Sequence, residues 1–267
     1  MRGTLVSCAA LVLPLPRTLH AQATVPSPPA YVAARLHCAR FAETSRSEIE
    51  TQTARGSVKG TTDRDGVWSF QARDSSGVVV LEGWYESLSL RRRTAESEVS
   101  ADTDGLIGGR YRGLLRRSGG YAEVAVPFVP DEVAEVADLS GAARDLFPPL
   151  PPESLRPGQS WRGPEVELTR LPDTSVAGRT MLRFRLEARS DAREVVPRGD
   201  TVPIPVRQTT LEQGEILWSP ASGLVRRTRD ITIEATIPSG GRIREPVRSR
   251  VVQRVELTRL SQKAACG

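Results

Sequence analysis

The chain has 267 residues, 39% of them hydrophobic, with a formal charge of +5 and a pI near 9.5. That length is enough to bury a real core, and no apolar run reaches the length of a membrane span. The cationic excess is almost all arginine, with only Lys59 and Lys263 as lysines and no asparagine anywhere, as a GC-rich coding sequence would give. Removing residues 1–23 also removes Arg2 and Arg17, so the charge becomes 35 − 32 = +3, a weak basis for nucleic-acid binding.

The amino terminus reads as a secretory signal. Met1-Arg2-Gly3 is the basic start, Thr4 to Leu15 is the apolar stretch, and Ala21-Gln22-Ala23 fits a cleavage site before Thr24. Export to the periplasm or the cell exterior follows. Cys8 lies in a lipoprotein-like box, Leu5-Val6-Ser7-Cys8. It sits too close to the start and the apolar run continues past it, so a lipid anchor there is disfavoured. Cys38 and Cys266 remain after cleavage, and two cysteines in an oxidising compartment suggest one disulfide between them. With one mature histidine, His37, no metal site is expected.

A proline-rich, flexible leader is expected over residues 24–35. A β-rich half then spans 36–147. Asp63-Arg64-Asp65-Gly66 reads as a hairpin turn. In the strand from Val78 to Arg92, alternation groups Val78, Val80, Trp84, Leu88 and Leu90 on one face. Asp131–Leu146 reads as the one amphipathic helix, with Val133, Val136, Ala137, Ser140 and Ala143 on its apolar side. Gly141 weakens it.

Residues 148–163 form a connector carrying Pro148, Pro149, Pro151, Pro152 and Pro157, which excludes helix interior or central strand. Residues 164–260 form an antiparallel half, with a tail at 261–267. Leu182, Phe184, Leu186 and Ala188 alternate against charged neighbours. Val225, Ile231, Ile233, Ala235 and Ile237 do likewise, as do Val247, Val251, Val255 and Leu257. The expected fold is mainly β: long antiparallel strands in a curved sheet or half-barrel with one helix near 131–146.

Catalytic signatures are absent: no Gly-x-Ser-x-Gly elbow, His-Glu-x-x-His, phosphate loop or dinucleotide fingerprint occurs. No enzyme activity and no cofactor are therefore expected. Two features suggest binding. Trp84, Leu88, Val133 and Val136 are candidates to line a site for an apolar or lipid-like ligand. Arg244, Arg248, Arg250 and Arg254 share one face of the last strand. They are candidates to dock an envelope protein partner or an acidic polymer, against the ordinary reading of a solvated sheet face.

The stretch Leu150-Pro-Pro-Glu-Ser-Leu-Arg-Pro-Gly-Gln-Ser-Trp161, with Trp218-Ser-Pro-Ala-Ser-Gly-Leu-Val-Arg226, resembles a family of uncharacterised exported bacterial β-rich proteins and lipoproteins over Phe147 to Ile237. That resemblance implies an envelope location and a β-rich fold, and it transfers no catalytic residues. Gln159 stands where an acidic residue is common in that family. Long strands around a helix are also similar in architecture to the half-barrel of lipoprotein carriers, an analogy that does not fix function.

Overall fold

The computed structural model describes residues 27–139, 141–195, 204–239 and 245–261. The signal segment, Cys8, Arg244 and Cys266 lie outside them. The first half contributes β1 (Arg40–Thr53), β2 (Gly56–Ser75), β3 (Val78–Thr94), β4 (Glu98–Ser100), β5 (Tyr111–Arg116) and β6 (Tyr121–Ala125). The second contributes β7 (Ser160–Arg162), β8 (Val166–Val176), β9 (Arg179–Val195), β10 (Ile204–Ser219), β11 (Gly223–Ile237) and β12 (Val247–Leu260). All belong to one antiparallel sheet, in the order β6-β5-β3-β2-β1-β12-β11-β10-β9-β8-β7, with β4 beside β3. The sheet is open, and β6 and β7 are its edges.

Each half is a meander of neighbouring hairpins, and the two are joined only where the first strand meets the last. β1 and β12 pair from Arg40↔Leu260 to Gln52↔Arg248. Both edges therefore lie at the far ends of the meanders, and the chain from 126 to 159 has to run from one edge to the other. It does so across the inner face. Val133, Leu139, Leu146, Phe147 and Leu150 of this segment are buried against the sheet's aromatic residues.

The helix in this segment is shorter than its periodicity suggests. α2 spans only Asp131–Val136, and a single 3-10 turn occupies Arg144–Leu146. The helix ends where Ala137 turns to extended backbone, at φ −149° and ψ 137°, and Gly141, at φ = 72°, makes a left-handed turn ahead of the 3-10 segment. Residues 31–36 also depart from the flexible leader expected there. α1 (Ala33–Leu36) buries Ala33 and Leu36, and Tyr31 is buried with them, its ring 5.3 Å from Trp218 and 5.6 Å from Phe147, edge-on to both. Its hydroxyl donates to the Pro148 carbonyl at 3.0 Å.

Asp65-Gly66 is not a turn. It lies inside β2, opposite Thr44 and Glu43 of β1, and the hairpin closes at residues 54–55. Glycine has a different use on this face: it leaves room for a neighbouring ring. A Cβ on Gly66 would lie 2.9 Å from the Tyr85 ring, and one on Gly83 would lie 2.5 Å from the Phe70 ring.

A bulge explains another departure. Val67 pairs with Ser87 but Trp68 pairs with Tyr85, so Glu86 is an extra residue in β3. Side-chain parity flips there. Leu88 and Leu90 face inward together with Leu81 and Tyr85, and Trp84 faces outward. A second bulge makes Leu224, rather than Val225, the buried partner of Trp218.

The core lies beneath the crossing segment. Trp68 and Tyr85 have ring centroids 3.9 Å apart, and Trp68 stacks on Phe70 at 5.8 Å. Gly83→Val forces a branched side chain into the Phe70 ring. We expect a loss of about 1–3 kcal/mol from overpacking, read as a lower urea midpoint with an unchanged slope.

Candidate functional site: a charged belt and a cavity at the open seam

The strand register lays inward residues in cross-strand rows. One row runs Leu88, Gly66, Glu43, Leu257, Arg227, Ile216, Phe184. The next runs Leu90, Arg64, Ser45, Val255, Arg229, Gly214, Leu186. Four charged residues thus interrupt an otherwise apolar inner face. On one side of them is the aromatic core. On the other is a half-buried strip led by the row Ile49, Val251 and Ile233.

The charges are paired in two groups. Glu43, 3% exposed, accepts from Arg64 Nη2 at 2.5 Å and from Trp68 Nε1 at 2.9 Å. Burial alone would lower the Arg64 pKa, but Glu43 holds it above the ordinary value. In the second group, Glu212 accepts from Arg229 Nε and Nη2 at 2.9 and 2.8 Å and from Arg227 Nη2 at 2.9 Å. Burial works to raise the Glu212 carboxyl, yet the two guanidinium groups outweigh it and hold it below its usual range. Burial, reinforced by Arg229, pushes Arg227 down to about 10, which leaves it protonated at neutral pH.

The crossing segment touches this second group. Arg227 Nη1 donates to the main-chain oxygen of Asp145 at 2.5 Å, and the Asp145 carboxylate lies 3.6 Å from Arg229 Nη1. Arg64 Nε, Arg227 Nε and the Tyr111 hydroxyl are buried without a hydrogen-bond partner.

Beside Arg227 and Arg229 is a cavity of about 490 Å³. One wall is Tyr121 with Phe147, Pro148 and Pro149. The opposite wall is Val166, Leu186 and Ala188. The cavity therefore occupies the seam where the open sheet fails to close, between the β6 edge and the turn from β7 to β8. It joins an apolar wall to an end where Arg227 and Arg229 meet Glu212 and Asp145, within the usual size range of small-ligand pockets.

The residues singled out in the sequence are placed differently. Leu88, Val133 and Val136 are buried in the inner-face core. Trp84 is on the outer face, under the Arg110 guanidinium at 3.7 Å, so those four do not line one cavity. Arg248, Arg250 and Arg254 do share the outer face, but two of the three are charge-matched across strands, while Arg248 lies opposite Thr236. Arg250 lies opposite Glu234 and Arg254 opposite Asp230 in register, with ion-pair distances of 3.7 and 3.9 Å. Among the described residues no group of His, Cys, Asp and Glu is placed to hold a metal ion, and no helix is long and apolar enough to cross a membrane.

No protein-family model matches the chain, and no curated protein matches it in sequence. Similar solved structures include one of lipid–protein interactions in lipovitellin, with TM-score 0.46 and 11% identity over 86% of this chain. The chain spans only 25% of that lipovitellin chain. A structure assigned as an outer membrane lipoprotein-sorting protein domain from Vibrio parahaemolyticus aligns over 88% of this chain and 90% of its own, at 10% identity and TM-score 0.17. A DUF1329 family protein from Desulfovibrio piger aligns over the same shares at 7% identity and TM-score 0.17. At these scores the functional reading rests on the sheet's own geometry.

Two predictions follow from the belt. Arg64→Met strands a buried carboxylate and should destabilise by about 3–5 kcal/mol. Adding Glu43→Gln should recover part of that loss, and strict additivity in denaturant titrations of the two single variants and the double variant would refute the pairing. Glu212 is held below its unfolded range, so its contribution is complete above the ordinary glutamate range and is lost as pH falls through the folded value. Glu212→Gln should therefore cost stability at pH 7 and flatten the acid limb of a stability-against-pH curve.

Proposed function

We propose that this chain is an exported, non-enzymatic envelope protein that holds an apolar or lipid-like ligand in the seam cavity. The observation that carries this is the cavity itself. An apolar wall of Val166, Leu186 and Ala188, with Phe147 opposite, meets the buried Arg227 and the partly buried Arg229 in a gap that the sheet leaves open. The ends of the two meanders leave this gap unzipped, so a ligand can enter without breaking strand pairs. The signal-like sequence of residues 1–23 supports export. The alternative, docking through the outer arginine row, is less well supported because Arg250 and Arg254 already face Glu234 and Asp230.

The test uses the delipidated full chain and an environment-sensitive naphthyl probe. The wild type should bind the probe with a fluorescence gain. Ala188→Phe fills the cavity from a position that is already half-buried, and should weaken probe binding at least tenfold with the circular dichroism unchanged. No binding by the wild type, or equal binding by the variant, would sink this reading.

A further inference from the structure

Taking the seam cavity as the ligand site, we infer that its ligand is an anionic amphiphile whose headgroup takes the place of the Asp145 carboxylate against Arg229. The sheet supplies three arginines to this inner belt, Arg227 buried and Arg64 and Arg229 partly buried, but only two carboxylates, Glu43 buried and Glu212 partly buried. Glu43 is committed to Arg64, and Glu212 to both Arg227 and Arg229. The remaining positive charge is met only by Asp145, which belongs to the crossing segment rather than to the sheet.

Asp145 is a weak partner. Its carboxylate is half exposed and 3.6 Å from Arg229 Nη1, a separation at which a solvated pair holds loosely. Its main chain, by contrast, is fixed by the bond from Arg227 Nη1. The side chain can therefore swing out while the backbone stays in place. Arg227 Nε, on a side chain 6% exposed as a residue, has no acceptor. An arriving carboxylate or phosphate monoester can take Arg229 Nη1 and supply an acceptor to the Arg227 donor, as guanidinium groups commonly do for such anions.

The surroundings fit one chain attached to that head. Leu186, Ala188 and Val166 run away from Arg229 across β9 and β8, and Phe147 faces them across the cavity. Two other charges line the site, Arg144 and Glu165, and both are exposed at its rim.

The experiment is competition against the naphthyl probe, below micellar concentrations, with four competitors: dodecanoate, 1-dodecanol, dodecyltrimethylammonium and acetate. Dodecanoate should displace the probe at least tenfold more effectively than dodecanol, and acetate should leave it bound. Asp145→Asn removes the competing carboxylate and should tighten dodecanoate several-fold while leaving dodecanol unchanged. Arg229→Gln should erase the difference between acid and alcohol. Equal displacement by acid and alcohol would overturn the anionic assignment yet leave apolar binding standing, whereas a probe that none of them displaces would remove both. Preference for the ammonium or displacement by acetate would overturn the inference on the wild type alone, without reference to any variant's folding; weaker dodecanoate binding in Asp145→Asn would overturn it as well.

Discussion

The pairing of the first strand with the last determines nearly everything else in this molecule. β1 and β12 share a ladder from Arg40↔Leu260 to Gln52↔Arg248 at the middle of the sheet. Two meanders grow outward from it in opposite directions. The strand path holds eleven strands, so at about 4.8 Å per strand the edges are separated by roughly 48 Å of arc. The chain joining them can cross only over a face, and the curved inner face is where apolar burial rewards it. The core is therefore not made by two layers of sheet but by one sheet and its own crossing segment, pinned by Tyr31 against Trp218 and Phe147.

That segment covers only part of the inner face, and the charged belt marks where coverage ends. Rows bearing Phe41, Trp68 and Tyr85 are buried, whereas the row Ile49, Val251 and Ile233 is half-buried. Between them, Glu43, Arg64, Arg227, Arg229 and Glu212 replace apolar residues. A buried ion pair seldom adds stability over a well-packed apolar pair, since desolvation offsets the Coulomb gain. Five such residues at the boundary of a core are poorly explained by stability alone. Of the five, Arg227, Arg229 and Glu212 also line the seam cavity, where they meet the apolar wall of Val166, Leu186 and Ala188.

Much of the architecture was legible in the sequence. Period-two alternation in Leu182–Ala188, Ile231–Ile237 and Val247–Leu257 does correspond to inward faces of long antiparallel strands. What alternation could not reveal was a change of parity. The extra residue Glu86 sends Trp84 and Leu88 to opposite faces, and a bulge near Leu224 does the same to Val225. Gly66 read as a turn because a glycine after an aspartate usually is one, but here it makes room for Tyr85. The segment 131–146 carries a true apolar stripe, and Val133, Leu139, Ala143 and Leu146 are all buried; its helix stops at Val136, where Ala137 turns extended, without moving that stripe off the core. The belt too has a signature in the sequence. Arg227 and Arg229 fall at inward positions just before Ile231, and Glu43 directly follows Phe41 on the same face. A charge in phase with an apolar stripe indicates a buried charge.

The seam itself follows from proline chemistry. An open sheet with two facing edges could close by pairing them directly or through a connecting strand. Both edges here are short, Tyr121–Ala125 and Ser160–Arg162, which limits unwanted pairing with other chains. The chain that passes between them carries Pro148, Pro149, Pro151 and Pro152, residues with no N–H to give to a ladder. It is held instead at isolated points: Leu150 N–H donates to the Ser118 carbonyl at 2.7 Å, and the Pro148 carbonyl accepts from Tyr31. A segment fixed at points rather than zipped along its length fills the gap incompletely. The space left beside Pro148 and Pro149 is the cavity, so the same residues that stop the sheet from closing also border the opening beside Arg227 and Arg229.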